Sequence, residues 1–335
     1  MKSKDPKLIV QTTPFLRQGM TTPQAMLDVI YALIPVTLVS IWFFGVSVLL
    51  VLMASIAGTV LTEWVFSSER SKSLWDGSAV LTGLLLGLTL PPSLPLWMAF
   101  IGGVVGMGLG KTMWGGLGNN LFNPALLGRA FLLANFPTAM TTWAPQPAGL
   151  FNLYASNFAM PFMQANVDAV TTATPLGLMK FEHQDTPLLE LILGNTAGSF
   201  GETCGLVIIL AGIYLILRRS IDWRIPVAII GSVTLFTSIL FMFDSSSYPD
   251  PMFMIFSGGL LLGAFFMATD PVTSPLTPKG TWLFGIGIGI IIVLIRVYGG
   301  FPEGTMYAIL LMNATVPLIE RYTQPSAFGR GGAKL

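Results

Sequence analysis

The chain has 335 residues, of which 53% are hydrophobic and only 10% are charged, and its mean hydropathy is +0.72. A soluble domain carries about a quarter charged residues, so this composition excludes an ordinary water-soluble protein and predicts an integral membrane protein in contact with lipid. The formal net charge of +1 gives no indication of a nucleic-acid partner, and the single cysteine, Cys204, excludes an intrachain disulfide.

Apolar segments of membrane-spanning length recur along the chain. A helix needs about 20 apolar residues to cross the roughly 30 Å hydrocarbon core. The third and eighth segments are interrupted by Gly and Pro and can be re-entrant, since broken helices are tolerated where protein or water covers the freed backbone groups. The sequence predicts an all-α protein with about ten spans, near 25–44, 46–66, 77–93, 96–110, 121–136, 203–217, 225–243, 252–269, 281–298 and 304–320.

Lysine and arginine divide unequally between the two sides of this bundle. With ten spans, both termini and the loops after even-numbered spans share one side, which carries fourteen of the 17 Lys and Arg residues. The other side carries Lys180 and Arg296, and Arg129 falls within a span. Because cytoplasmic loops are enriched in Lys and Arg, both termini are predicted to be cytoplasmic and the long segment 137–202 to be external.

These predictions divide the chain into five regions. Each group of five spans forms one region, and the external loop separates the two groups. The regions are a cytoplasmic N-terminal segment at 1–24, a first five-helix repeat at 25–136, the external loop at 137–202, a second five-helix repeat at 203–320 and a cytoplasmic tail at 321–335.

The prediction of a repeat rests on three recurring patterns at similar offsets. A Gly-Leu-Leu-Leu-Gly string at 83–87 recurs 176 residues later, Trp97 has a counterpart in Trp282, and the Gly-Gly pair at 115–116 recurs 184 residues later. A unit with an odd number of spans must be inverted in its second copy, and inverted repeats form binding sites at their interface. The alternative is that short Gly-Leu strings recur by chance.

The external loop contains the string Asp-Ala-Val-Thr-Thr-Ala-Thr-Pro-Leu at 168–176. By composition, small hydroxyl residues before Pro indicate a turn. The string also resembles the flavinylation motif of the RnfD and NqrB family, usually Ser-Gly-Ala-Thr, whose Thr forms an ester with the phosphate of FMN. Thr174 matches that Thr, Ala173 matches the Ala, Thr171 stands at the Ser position, and Thr172 stands where Gly is usual.

The resemblance extends over nearly the whole chain, through the segments 13–17, 26–35, 121–131 and 268–275. It implies a fold similar to urea transporters and a role in electron transfer between ferredoxin and NAD, coupled to Na⁺ or H⁺ movement. It also implies FMN covalently bound at Thr174 and a second, non-covalent flavin, riboflavin, within the bundle.

The resemblance further implies partners. These are the other membrane subunits of the Rnf complex, an FMN-bearing external subunit, iron–sulfur subunits, and a flavin transferase that acts outside the cytoplasmic (inner) membrane. The chain is then an oxidoreductase subunit that is inactive alone. The alternative function is a solute channel or transporter of the same fold without a redox role, since inverted repeats with broken helices also occur in transporters.

Ionisable and amide side chains near the spans are further site candidates. Charge is expensive inside a membrane, so Asp28, Glu63 and Asp270 are ion-coupling candidates. Asp270 follows a Gly-rich span and precedes Pro, which suits a cation, a flavin ring or, alternatively, a helix cap. Arg129 can pair with a flavin or a carboxylate. The remaining candidates are two amides that suit a flavin edge or a turn: Asn120 and Asn123.

Overall fold

The computed structural model describes residues 21–67, 74–144, 149–151, 153–161, 172–202, 204–245 and 248–325. Every regular element in these ranges is helical, which confirms the predicted all-α class. Each of the ten predicted spans contains helical residues, although their lengths differ widely.

Among its described residues, the first half contains the following helices. A short 3-10 turn, Thr112–Trp114, follows the fourth helix. The helices are α1 (Thr22–Phe44), α2 (Ser47–Phe66), α3 (Ser78–Leu88), α4 (Leu96–Gly110), α5 (Pro124–Asn135) and α6 (Pro137–Thr141).

The segment 137–202, which we continue to call the external loop after its predicted location, contributes short helical elements. They are a 3-10 turn at Ala155–Phe158, α7 (Pro175–Gly177) continuing as a π-helical turn at Leu178–Glu182, α8 (Leu188–Leu193) and a 3-10 turn at Phe200–Glu202. The second half contains α9 (Gly205–Leu217), α10 (Arg224–Phe243), α11 (Pro251–Phe256), α12 (Leu260–Leu262) continuing as a π-helical turn at Gly263–Met267, α13 (Pro278–Tyr298) and α14 (Thr305–Thr323).

Five of the described helices are long and apolar enough to cross a membrane: α1, α2, α4 with its 3-10 extension, α10 and α13. The chain is therefore a multi-pass membrane protein. Helices α3 and α9, with 11 and 13 residues, fall short of the roughly 20 residues that a complete span needs. The eighth segment is broken between α11 and α12, where Gly258 has a φ of +64°, a backbone conformation that glycine adopts readily.

Helix packing follows the same order in both halves. In the first half α2 packs against α3 and α4, and α4 packs against α5; in the second half α10 packs against α11 and α13, and α13 packs against α14. Both main crossings depend on a glycine, since a Cβ on Gly103 would lie 2.5 Å from the Ser55 carbonyl oxygen and one on Gly289 would overlap the Ser232 side chain. Glycine lets helix backbones approach closely in membranes.

The two halves also contact each other directly. Helix α1 packs against α9, and α5 packs against α14. Between them, the Asn123 side-chain amide donates to the Met267 carbonyl oxygen at 3.1 Å, which joins the start of α5 to the π-helical turn of the second half. The core therefore runs continuously through both halves.

Candidate functional site

A cavity of about 540 Å³ lies beside Thr174, between the external loop and the ends of helices from both halves. Cofactor sites typically enclose 300 to 1,000 Å³, so this cavity has the size of a cofactor site. Arg129, Thr172, Ala173 and Thr174 all line it. The structure thus brings four of the predicted site residues together, whereas Thr171 lies outside the described residues.

Thr174 occupies the first position before helix α7 and is half-buried. Its Oγ1 accepts a hydrogen bond from the Gly177 amide at 3.2 Å. A threonine followed by proline is a favourable helix start, because the threonine oxygen caps a free amide and proline has no amide to satisfy. Thr172 fixes the approach to this turn, since its amide and its hydroxyl both donate to the Trp143 carbonyl oxygen, at 3.0 and 3.2 Å.

Lys180, six residues beyond Thr174, connects the external loop to the second half. Its ammonium group donates to the carbonyl oxygens of Gly299 at 2.5 Å, Phe301 at 2.9 Å and Ile295 at 3.3 Å. These carbonyls lie at the end of α13, where helix carbonyls lack partners and a positive charge is favourable. Partial burial lowers the pKa of Lys180.

Arg129, Glu202 and Glu303 line the wall of the cavity, and the buried Arg296 interacts electrostatically with both glutamates. We call these four charged side chains the charge cluster. Arg129 on α5 contacts Glu303 at 2.7 Å, and the same nitrogen lies 4.0 Å from Glu202. Glu303 also accepts a hydrogen bond from the Gly259 amide at 2.9 Å. The cluster therefore joins α5 to the broken eighth segment and to the start of α14.

Arg296 supports the backbone of that broken segment. Its guanidinium donates to the carbonyl oxygens of Met254 at 2.6 Å and Ser257 at 2.9 Å. Carbonyls at the end of α11 would otherwise be buried without partners, because the helix stops there. The positive charge of Arg296 thus replaces hydrogen bonds that an unbroken helix would have made.

The two glutamates of the cluster titrate differently. Burial, the main cause, and the nearby Glu303 carboxylate raise the pKa of Glu202 to about 7, although Arg129 acts in the opposite direction. Burial would raise the pKa of Glu303 as well, but Arg129, the Gly259 amide and Arg296 together hold it below its usual value. Glu303 is consequently the ionised partner, and Glu202 is the carboxyl group that readily accepts a proton.

Three members of the charge cluster escaped the sequence prediction. Arg296 entered the sequence analysis only as an external cation, whereas the structure buries it in the last turn of α13 with 4% of its surface exposed. Glu202 and Glu303 lie just outside predicted spans and were not selected. Their position at span ends was the one available signal, since charge close to a membrane core is expensive.

The predicted amide and carboxylate candidates line a second cavity of about 70 Å³, with Asn120, Asn123 and Asp270 in its wall beside Lys111. Asn123 is the N-cap of α5, and its side-chain oxygen accepts from the Ala125 amide at 3.0 Å. Asp270 accepts from the Val272 amide at 3.3 Å and from the Thr273 hydroxyl at 3.2 Å. Asn123 therefore caps a helix and Asp270 stabilises a turn, while their roles at a flavin or an ion stay predictions. Burial raises the pKa of Asp270.

The other two ion-coupling candidates do not line the cavity at Thr174. Asp28 contacts Arg218 at 3.1 Å and accepts from the Ser220 hydroxyl at 2.9 Å. Glu63 is buried in contact with the Lys111 ammonium. Each carboxylate thus has a cation beside it, and their role in ion coupling stays a prediction.

Comparison with known proteins assigns this architecture to a family. The family model described as NQR2, RnfD, RnfE matches residues 9–329. The chain belongs to the NQR2, RnfD, RnfE family. The resemblance found in the motifs is therefore confirmed.

Members of the NQR2, RnfD, RnfE family from distant bacteria align over almost their full lengths. The chain is 41% identical over 333 residues to the D subunit of the proton-translocating ferredoxin:NAD(+) oxidoreductase complex of Clostridium ljungdahlii, covering 96% of both chains. It is 40% identical over 323 residues to the D subunit of the ion-translocating oxidoreductase complex of Stutzerimonas stutzeri, covering 91% of both. It is 36% identical over 346 residues to the protein of that name from Actinobacillus succinogenes, covering 96% of this chain and 97% of the relative.

Proposed function

We propose that this chain is the flavin-bearing membrane subunit of a complex that couples electron transfer between ferredoxin and NAD to transmembrane Na⁺ or H⁺ movement. FMN is bound covalently through its phosphate to Thr174. The observation that carries the proposal is a threonine of a flavinylation-like motif on the wall of a cofactor-sized cavity. The names of the relatives support membership of an ion-translocating oxidoreductase complex.

The residues around Thr174 fit such a group. The cavity wall combines the Thr174 side chain and the charge cluster with apolar and aromatic surface, and one buried oxygen of Glu202 has no partner among the described residues. Flavin supplies the redox chemistry, while the protein binds, orients and excludes water. The side chains that can cover a flavin ring system are Met140, Phe181, Leu191, Phe256, Phe301 and Tyr307.

The ten-span arrangement with two inverted, urea-transporter-like repeats is part of the proposal. Its support is the shared packing order of the two halves and their glycine-dependent crossings. Ser55 and Ser232, which face the glycines at those crossings, are 177 positions apart, close to the offset of the Gly-Leu-Leu-Leu-Gly strings. Under this arrangement the termini are cytoplasmic, Thr174 is external, and the protein resides in the inner membrane.

The second flavin, riboflavin, rests on the family resemblance alone. Asn120 has a buried side-chain oxygen with no hydrogen-bond partner among the described residues, which suits a flavin edge. The cavity at Asn120 is only about 70 Å³, however, which is smaller than a typical cofactor site. Ion coupling through Asp270, Asp28 or Glu63 is likewise proposed from their place near the spans.

In this proposal, other subunits of the complex carry the cofactors through which electrons enter. The described residues contain no group of three or more His, Cys, Asp or Glu side chains suited to a metal ion, so the proposal assigns electron entry to iron–sulfur and FMN-bearing subunits. A flavin transferase attaches the FMN. The alternative function, a solute channel without flavin, is not favoured, because the named relatives are oxidoreductase subunits.

The proposal is tested by denaturing electrophoresis under ultraviolet light after co-expression with the flavin transferase. We expect a fluorescent band for the unchanged chain and none for Thr174→Ala, because the alanine cannot form the phosphoester. Thr141→Ala is the matched control, since Thr141 lines the same cavity and its loss should leave the band intact. Absence of a fluorescent band from the unchanged chain, or its presence in the Thr174→Ala variant, would refute covalent FMN at this residue.

A further inference from the structure

Glu202 carries a buried oxygen, and its carboxyl group interacts with that of Glu303. Its side chain is 10% exposed, and its Oε1 has no hydrogen-bond partner among the described residues. Its other oxygen, Oε2, lies 3.5 Å from the Ser199 amide, at the limit of a hydrogen bond. A buried carboxylate in such surroundings is costly unless it is protonated or paired with a cation.

Neither guanidinium group of the charge cluster makes its closest contacts with Glu202. The nearest nitrogen of Arg129 is 2.7 Å from Glu303 but 4.0 Å from Glu202. Arg296 directs two nitrogens at backbone carbonyl oxygens instead. The charged and titratable groups that face Glu202 or share its cavity come from four neighbouring elements: Arg129 of α5, Glu182 of the external loop, Arg296 of α13, and Glu303 and Tyr307 at the start of α14.

We propose that Glu202 is a proton-binding residue of the Thr174 cavity, taking up one proton when an electron enters the cavity and releasing it when the electron leaves. The inference rests on the proposed function, because the electron resides on the flavin held at Thr174. It adds a role for a residue that lies outside the flavinylation motif.

The charges balance in this step. A reduced flavin or iron–sulfur centre of a partner subunit gives one electron, which adds one negative charge to the cavity. The Glu202 carboxylate combines with one proton to become a neutral carboxylic acid, and the proton comes from water at the open side of the cavity. No bond to the cofactor forms or breaks, and the cavity's net charge is unchanged.

The physical reason is the low local dielectric. An added negative charge at a distance of several ångströms stabilises the protonated form of a carboxyl far more in a buried site than in water. Glu202 already titrates near neutrality, so a modest further rise of its pKa is enough for net proton uptake. Glu303 cannot take this role, because Arg129 and the Gly259 amide hold it ionised.

The test is redox-induced infrared difference spectroscopy on the purified, FMN-loaded complex near neutral pH. We expect the carbonyl stretching band of a protonated carboxylic acid to appear on reduction of the unchanged complex. The band should vanish in Glu202→Gln and shift in frequency in Glu202→Asp. Glu190→Gln, which removes an exposed carboxylate of the same loop, should leave it unchanged.

A second measurement uses the FMN midpoint potential. It should fall more steeply with rising pH in the unchanged complex than in Glu202→Gln, because one proton fewer accompanies reduction of the variant. A band that persists unaltered in both Glu202 variants, or identical pH dependences, would overturn the role of Glu202. Absence of covalent fluorescence in the unchanged complex would instead refute the proposed function, so the two failures are distinguishable.

Discussion

At the scale of single residues, Lys180 is notable because its ammonium group makes three hydrogen bonds although it lies in a loop. One ammonium group satisfies three carbonyl oxygens near the end of α13, and it lies six residues beyond the proposed flavin attachment point. Hydrogen bonds from a charged donor stabilise a fold by about 1.5 to 3 kcal/mol. Lys180 therefore holds the Thr174 turn against the second half of the protein.

Lys180→Met keeps the length of the side chain and removes its donors. We expect amide hydrogen exchange across 175–182 to accelerate on the order of tenfold or more, since about 1.4 kcal/mol corresponds to a factor of ten. Exchange followed by mass spectrometry measures the effect. Lys279→Met, at an exposed lysine, is the control, and equal protection in both variants would show that the Lys180 contacts contribute little.

The site residues differ in how far the sequence could reveal them. Thr174 was predictable because its neighbours form a recognisable motif, and Arg129 because it is a charge inside an apolar span. Glu202, Arg296 and Glu303 were not, because each lies at the edge of a span and belongs to no recognisable motif. Only the fold brings Glu202 and Glu303 to one cavity wall and places Arg296 within electrostatic reach of both.

At the scale of helices, glycine determines which backbones can touch. Gly289 on α13 faces Ser232 and the Ile229 carbonyl of α10, whereas Gly231 on α10 has nothing within 4 Å of an added Cβ. Gly289→Leu must separate the helices, at a cost of about 3 kcal/mol or more. Gly231→Leu should be tolerated, because leucine has a helix propensity up to about 1 kcal/mol better than glycine.

Thermal unfolding of the two variants in detergent, followed by size-exclusion chromatography, separates these outcomes. We expect the melting temperature of Gly289→Leu to fall by several degrees and that of Gly231→Leu to stay close to the unchanged protein. A similar loss in both variants would mean that glycine content, and not this crossing, limits stability.

The long helices were predictable from the sequence. The broken helices were predictable only as interruptions of apolar segments. Helices α1, α2 and α10 match the predicted spans within a few residues, because long apolar runs specify both length and environment. The eighth segment was predicted as one interrupted span, but the structure divides it at Ser257 to Gly259. Its geometry depends on Arg296, which comes from another helix, so local sequence could not specify it.

At the scale of the whole molecule, the predicted orientation puts Phe151 and Tyr322 on opposite sides of the membrane. Both side chains are largely exposed, at 88% and 80%. In a Cys204→Ala background, Phe151→Cys should react with a membrane-impermeant maleimide in spheroplasts. Tyr322→Cys should react only after lysis, because impermeant reagents do not reach the cytoplasm. Labelling of Tyr322→Cys in intact spheroplasts would contradict the predicted topology.

The residues that line the Thr174 cavity are synthesised at very different times during translation. Thr172 and Thr174 are synthesised at least 127 residues before Phe301, Glu303 and Tyr307, which line the same cavity. Until then Arg129 lacks its closest carboxylate and the loop lacks the α13 carbonyls that bind Lys180. Under the proposed function, flavin attachment within a complete cavity is therefore a late event in biogenesis, and a chain truncated before Phe301 would present Thr174 to the transferase without that part of the cavity wall.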